Sequence, residues 1–212
     1  APKAALMAAY SYYSQNYYGD SIAELERFLT IYPNHYNIDY AEYLLALCFY
    51  EQIIDEKKDL QSIINAKKTF LSLIKKHPQT DFALDAKFKL DLINDILAAK
   101  EMYIGRYYFD KKKWISAINR FRKIIDDYDE TIYVEEAVHR LVEIYYIIGL
   151  EDEAKKYASL LGYNYESSEW YKKSYSIFDK IYEKNKEKDI KNRKDSKNSI
   201  LDKFKSLFNW DE

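Results

Sequence analysis

Three histidines and several pairs of acidic residues are the side chains that could perform catalysis or hold a metal in this 212-residue chain. His35, His77 and His139 lie far apart, and none has a second histidine in the His-x-x-x-His arrangement of a helical metal site. Acidic pairs such as Asp126 and Asp127 are more simply explained as solvated helix faces. No glycine-rich phosphate loop and no nucleophile elbow occur. We therefore predict a protein that is not an enzyme and that needs no metal or other cofactor.

The composition favours helices and gives no sign of nucleic acid as a partner. The chain has only 4 glycines and 3 prolines, fewer than a β-rich fold with many tight turns would need. Its net charge of −2 provides no general attraction to nucleic acid or to an anionic membrane. The single cysteine, Cys48, excludes an intramolecular disulfide and a cysteine-rich zinc site. No stretch approaches the roughly 20 apolar residues of a membrane-spanning helix.

A spaced set of small and aromatic residues recurs along the chain. One copy comprises Ala9, Tyr12, Ser21, Leu25, Phe28 and Pro33, and another with the same gaps comprises Gly105, Tyr108, Ala117, Phe121, Ile124 and Asp129. A longer copy between them comprises Ala46, Phe49, Ala66, Phe70, Leu73 and Pro78. Such copies arise when one helix pair is repeated and stacked. We predict an all-α tetratricopeptide-repeat helical solenoid with a C-terminal capping helix.

The repeat spacing also predicts the domain organisation. The solenoid should span residues 1–182, with repeats over about 1–34, 35–79, 80–130 and 131–166 and the capping helix over 167–182. A charged linker is expected over 183–199 and an amphipathic tail helix over 200–212. The tail could cap the solenoid, engage a partner or bind a membrane surface, and its offsetting charges make the last least favoured.

Three local features carry expectations of their own. Ser21 and Glu24 fit a capping box at the start of a helix. The run from about Asp81 to Phe109 predicts one long helix, because apolar residues recur at helical spacing without an interrupting proline. Gly105 is expected where two helices cross, since a missing side chain lets the backbones approach closely.

The segment from His35 to Tyr43, following Pro33, resembles a characteristic run of the BamD family, the lipoproteins of the bacterial outer-membrane β-barrel assembly machine. Tyr36 stands where the family has proline. Further matches are the charged insertion after Phe49 and the set Tyr107, Tyr108, Trp114, Ala117, Asn119 and Arg120. The resemblance covers roughly residues 1–165. It implies a non-enzymatic scaffold for outer-membrane protein assembly at the periplasmic face of the outer membrane. It also implies that a first repeat and a lipidated cysteine, the membrane anchor, precede residue 1.

The concave face of a tetratricopeptide solenoid is lined by the first helix of each repeat. The positions expected to face it here are Leu6, Tyr10, Tyr13, Tyr40, Tyr43, Leu47 and Tyr50. An aromatic lining suits an extended peptide rich in aromatic residues. The resemblance implies that such peptides are segments of unfolded outer-membrane proteins. Alternatively, some of these tyrosines pack beneath a preceding repeat.

A more charged set follows in the third and fourth repeats: Arg106, Arg120, Arg122, Lys123 and Arg140. The resemblance implies that this region docks the periplasmic domains of BamA, alongside other lipoproteins of the assembly machine. Arg120 is the best single interface candidate, because arginine can hold a partner carboxylate through two hydrogen bonds. The alternative is that each is a solvated surface charge. Two other functions stay open: a general peptide-binding co-chaperone and an accessory domain of an enzyme complex.

Overall fold

The computed structural model describes residues 2–53 and 60–179, and all regular structure within these ranges is helical. The helices are α1 Pro2–Ser14, α2 Tyr18–Ile31, α3 Ile38–Glu51, α4 Gln61–Lys76, α5 Asp81–Asp110, α6 Trp114–Asp127, α7 Val134–Ile147 and α8 Glu151–Asn164, followed by α9 over 169–179. The prediction of an all-α, tetratricopeptide-like fold is confirmed. The charged insertion near residue 55, the linker over 183–199 and the tail helix over 200–212 lie outside the described residues.

The chain divides into two compact parts: an N-terminal part, residues 1–134, and a C-terminal part, residues 135–212. In the N-terminal part each helix packs on the next, and α3 also contacts α1 and α5. The odd-numbered helices α1, α3 and α5 therefore lie side by side. This is the arrangement that gives a helical repeat array one face lined by the first helix of each repeat. The repeat boundaries suggested by the sequence stay a prediction.

Small residues at the repeat positions allow the helices to pack closely. Ala9, Ala46, Ala66 and Ala117 are all fully buried between neighbouring helices. The tightest approach is at Gly105 in α5, where an added Cβ would lie 2.5 Å from Cε1 of Phe121 in α6. That distance is shorter than any normal carbon–carbon contact, so only glycine fits. The predicted close approach at this crossing is confirmed.

Helix α5 is 30 residues long and runs without interruption, as the sequence predicts. Thr80 caps its beginning, because its side chain accepts a hydrogen bond from the Ala83 backbone N–H at 3.2 Å. Midway along it, Lys67 of α4 donates to Asn94 at 2.8 Å. Farther on, α5 packs against α6 around Gly105. The length of α5 lets one rigid helix join two successive layers of the array.

The predicted capping box at Ser21 is wrong. Helix α2 begins three residues earlier, at Tyr18, with no side-chain cap. The chain reverses at Asn16, whose φ of 63° is left-handed, so the helix starts immediately afterwards. Ser21 is instead buried, donates to the Ala9 carbonyl at 2.8 Å and accepts from the Cys48 thiol at 3.2 Å. It links three helices rather than capping one.

The C-terminal part contains its own small core. Val142, Ala154 and Ala158 are buried between α7 and α8, and half-buried side chains, Phe178 among them, pack against them. The turn between α7 and α8 needs Gly149, whose φ is +83°. Within residues 2–53 and 60–179, no helix is both long and apolar enough to cross a membrane.

Candidate functional site

Six aromatic side chains on α1, α3 and α5 form a surface that we call the aromatic surface: Tyr10, Tyr13, Tyr40, Tyr43, Tyr50 and Phe82. The ring centroids of Tyr10 and Tyr13 are 6.5 Å apart on α1. Phe82 at the start of α5 lies 5.1 Å from Tyr43 in a nearly parallel stack and 5.6 Å from Tyr40. Such spacings are those of favourable aromatic pairs. The rings thus join α3 to α5, and those of α1 lie on the helix that packs beside α3.

A polar network fixes the middle of the aromatic surface. The Tyr43 hydroxyl donates to Oδ2 of Asp85 at 2.5 Å. The Lys89 ammonium lies 3.8 Å from the same oxygen and 5.0 Å from the centre of the Tyr50 ring. Burial, followed by the hydrogen bond to Asp85, raises the pKa of Tyr43 well above its ordinary value. Tyr43 therefore stays a protonated donor, and its hydroxyl is committed to holding α3 against α5.

The predicted groove residues differ in how much surface they offer. Tyr10 is 53% exposed, whereas Tyr13, Tyr40, Tyr43, Leu47 and Tyr50 are half-buried. Leu6 does not line the groove as predicted. It is buried in the core with Leu25 and Phe28, because its position on α1 faces α2. The free surface is therefore the ring edges and faces around Tyr10, and Leu6 supports α1 from beneath.

The sequence interpretation missed three residues of α5 that belong to this site: Phe82, Asp85 and Lys89. They follow one another at spacings of three and four residues, so they share one side of the helix. This row lies next to the buried row Ala83, Ala86 and Leu90. That adjacency is the signal that could have placed them against α3.

At the second predicted site, the set of five cations, a buried carboxylate binds two of the predicted side chains. Glu101 of α5 accepts hydrogen bonds from Nη1 of Arg120 at 2.9 Å and from Nζ of Lys123 at 2.8 Å, both on α6. Burial would raise the pKa of Glu101, but the hydrogen bonds and charges of Lys123 and Arg120 together outweigh it and lower the pKa. The same contact raises the pKa of Lys123. We call these three residues the Glu101 layer.

The remaining cations of that prediction are placed differently. Arg106 on α5 and Arg122 on α6 are exposed. Arg140 belongs to the C-terminal part, where its guanidinium donates to Glu143 at 2.7 Å and lies 5.9 Å from the centre of the Trp170 ring. Within the N-terminal part, the structure thus joins Arg120 and Lys123 through Glu101.

His139 and His77 each contact side chains of the fold. His139 is buried, 2.8 Å from the Ser174 hydroxyl and 5.2 Å from the Trp170 ring centre. His77 ends α4 beside Glu42. No cluster of three or more His, Cys, Asp or Glu side chains in the described ranges has metal-binding geometry.

Comparison with known proteins places the chain in a family. Residues 1–160 match the family described as YfiO, outer membrane lipoprotein. The chain is similar to an "Outer membrane protein assembly factor BamD" of Rickettsia prowazekii (strain Madrid E), 46% identical over 176 residues, which is 83% of this chain and 70% of the relative. Proteins of the same name from Caulobacter vibrioides and Neisseria meningitidis serogroup A are 39% and 32% identical.

The matched regions cover 81% of this chain and 56% of the Caulobacter relative, and 77% and 65% for the Neisseria relative. The matched regions thus span 56–70% of the length of these relatives. The family match includes the aromatic surface and the Glu101 layer, both of which lie within residues 1–160. The chain belongs to the YfiO/BamD family of outer-membrane lipoproteins.

Proposed function

We propose that the chain is a non-enzymatic scaffold in outer-membrane protein assembly and that its aromatic surface holds an extended, aromatic-rich segment of an unfolded outer-membrane protein. Family membership and the relatives' name, assembly factor, support the assembly role. The observation that carries the binding proposal is the presence of aromatic rings on three adjacent helices, with direct ring contacts between α3 and α5.

The chemistry of the surface suits such a segment. Tyrosine and phenylalanine offer a large contact area at a low cost in conformational entropy, and an exposed tyrosine hydroxyl can also bond to a peptide backbone. Tyr10, the most exposed ring of the aromatic surface, is the expected anchor for the peptide. The hydroxyl of Tyr43 is already bonded to Asp85, so Tyr43 acts through its ring and by keeping α3 and α5 in register.

The test is the affinity of a fluorescently labelled synthetic peptide with aromatic residues at alternate positions and a C-terminal phenylalanine. Substituting an exposed aromatic anchor at the centre of an interface typically weakens binding by about tenfold or more, so we expect this loss for Tyr10→Ala. Tyr163→Ala, at a ring that is 91% exposed on α8, is the matched control and should leave the affinity unchanged. Unchanged affinity for Tyr10→Ala would contradict the proposal. Equal binding of a peptide without aromatic residues would indicate a general peptide-binding co-chaperone.

The bridging part of the proposal concerns the exposed cations. Exposed Arg122 is the candidate for contacting acidic residues of the periplasmic domains of BamA, which would place the scaffold at the periplasmic face of the outer membrane. Arg120 is less suitable, because its guanidinium is bonded to Glu101.

Binding to a periplasmic fragment of BamA tests this second contact. Arg122→Glu should weaken it several-fold, since a reversed charge opposes electrostatic complementarity. Lys68→Glu, at an exposed cation of α4, applies the same charge change elsewhere in the N-terminal part and should have little effect. Equal affinity of both variants and the parent chain would remove Arg122 from the interface.

A further inference from the structure

Helix α5 exposes a row of large apolar side chains in addition to the row that it buries. Leu84, Phe88 and Leu92 are 56%, 63% and 51% exposed. They follow one another at intervals of four residues, so they form one ridge, with a rise of about 6 Å between neighbours. Single exposed apolar residues are ordinary, but a contiguous apolar row on one helix marks an interaction surface. We call this row the α5 ridge.

The α5 ridge is separate from the surfaces already assigned. Ala83, Ala86 and Leu90 form the buried row of α5, and Asn94 contacts α4. Phe82 and Asp85 contact α3. On a helical wheel, the ridge occupies the side of α5 that faces away from α4, beyond the edge that contacts α3. The aromatic peptide bound at Tyr10 would not cover it.

The flanks of the ridge carry a net negative charge. Asp81, Asp91 and Asp95 lie beside it on the helix surface. Asp85 lies on its border with the aromatic surface and is paired with Lys89 and Tyr43. Lys87 also lies beside the ridge, three residues from Leu84 and four from Asp91, so apart from the Asp85–Lys89 pair the border carries three aspartates and one lysine. A ligand that covered the ridge would therefore place its own flanking side chains opposite more carboxylates than ammonium groups.

We propose that the α5 ridge docks an amphipathic helix of a partner protein, with an apolar row flanked by lysine or arginine. Two observations favour this occupant. A ridge with a four-residue period fits the groove beside the corresponding ridge of a second helix, which is the commonest mode of helix packing. The three flanking aspartates outnumber the one flanking lysine, Lys87, so the border is net negative and favours a basic partner by charge complementarity. The inference goes beyond the proposed function, since it concerns a different surface and a different ligand.

The experiment measures fluorescence anisotropy of labelled synthetic peptides added to the full chain at low salt. The first peptide is a helix with leucine at every third or fourth position and lysine on both flanks. The second replaces each lysine by glutamate. The third has the composition of the first but alternates leucine and lysine, which favours a strand. We expect the basic helix to bind at least about tenfold more tightly than the acidic helix, with the preference decreasing as salt is added.

Variants test whether the basic helix binds at the α5 ridge and whether this binding is independent of the aromatic surface. Phe88→Ser should weaken the basic helix by about tenfold, because it removes the central side chain of the ridge. Ile132→Ser, at another strongly exposed apolar residue of the N-terminal part, is the matched control and should leave binding unchanged. The double variant Asp91→Asn, Asp95→Asn should reduce the preference for the basic over the acidic helix. Tyr10→Ala should not change the affinity for either helical peptide. A negative result for the aromatic surface would therefore be distinguishable from a negative result for the ridge.

Several results would overturn the proposal. They are equal affinity for the basic and the acidic helix, tighter binding of the strand-forming peptide, and equal losses in Phe88→Ser and Ile132→Ser. Circular dichroism of each variant checks that it remains folded. All these positions are on the surface, so we expect their melting curves to match that of the parent chain.

Discussion

The aromatic surface and the Glu101 layer both lie where side chains of α5 meet a neighbouring helix, but they differ in what they leave available. In the aromatic surface, the rings contact one another and still keep exposed area, most of all at Tyr10. In the Glu101 layer, the side chains of Arg120 and Lys123 are 38% and 43% exposed, yet their charges are bonded to Glu101. A ring can contact two neighbours at once. A charge that is already paired attracts a second partner more weakly.

A second buried carboxylate one repeat earlier supports a structural role for the Glu101 layer. Glu42 of α3 accepts a hydrogen bond from Lys76, and its other oxygen lies 3.6 Å from Nε2 of His77. In both places a glutamate on the first helix of a pair accepts a hydrogen bond from a lysine on the second helix. The recurrence indicates a device that joins the two helices of a repeat.

The largest expected effect is a loss of folding stability when the close packing of α5 on α6, next to the Glu101 layer, is disturbed. Gly105→Ala would place a Cβ 2.5 Å from the Phe121 ring, four residues along α5 from Glu101. Because the core is fully packed there, we expect a loss of about 2–3 kcal/mol in the free energy of unfolding, measured with urea. Gly19→Ala is the control, since a Cβ there meets nothing within 4 Å, and it should stabilise α2 slightly. Equal stabilities would contradict the close approach of α5 and α6.

The next effect concerns the charge of Glu101. Glu101→Gln should lower the free energy of unfolding at neutral pH by about 2 kcal/mol, because Arg120 and Lys123 lose a buried anion but can still reach water. Since folding lowers the pKa of Glu101, its stabilising contribution is complete above the unfolded value of about 4.3 and is lost as the pH falls through the folded value. The difference between the two proteins should therefore disappear in acid. A difference that is the same at pH 7 and pH 3 would show that the charge is not its source.

A smaller effect tests the division of labour within the aromatic surface. Tyr43→Phe removes the hydrogen bond to Asp85 but keeps the ring, so the free energy of unfolding should fall by about 1 kcal/mol. The affinity for the aromatic peptide should change less than twofold, because the ring is kept and the lost hydroxyl was already bonded to Asp85. This contrasts with the loss expected for Tyr10→Ala. Tyr163→Phe controls for loss of an exposed hydroxyl. A large loss of affinity with unchanged stability would mean that the Tyr43 hydroxyl binds the peptide directly.

The smallest effect distinguishes the two neighbouring arginines of α6. Arg122→Glu changes an exposed side chain and should alter the free energy of unfolding by no more than about 0.5 kcal/mol. Arg120→Glu should cost more, because it brings a second carboxylate next to Glu101. Thermal melts of the two variants make the comparison, and equal melting temperatures would argue against the Glu101 layer.

The repeat spacing was sufficient to predict the helical fold, the length of α5 and the crossing at Gly105, because these depend on periodicity within a short window. The role of Ser21 was not predictable in this way, since the left-handed turn at Asn16 moved the start of α2. Leu6 was assigned to the wrong side of α1 for a related reason: the boundary between the buried and exposed rows depends on how α2 packs. The contacts of Arg120 with Glu101 and of Phe82 with Tyr43 join residues far apart in sequence, so they required the arrangement of the helices.

The most direct test of the central claim is photo-crosslinking from a photoreactive residue placed at position 10 to the labelled aromatic peptide. Position 10 lies on the aromatic surface, and position 163, an exposed tyrosine of the C-terminal part, serves as the comparison. We predict a strong adduct from position 10 that an excess of unlabelled peptide removes, with only background from position 163. Adducts of equal strength from both positions, or none above background from position 10, would contradict the claim that the aromatic surface is where this scaffold holds its peptide.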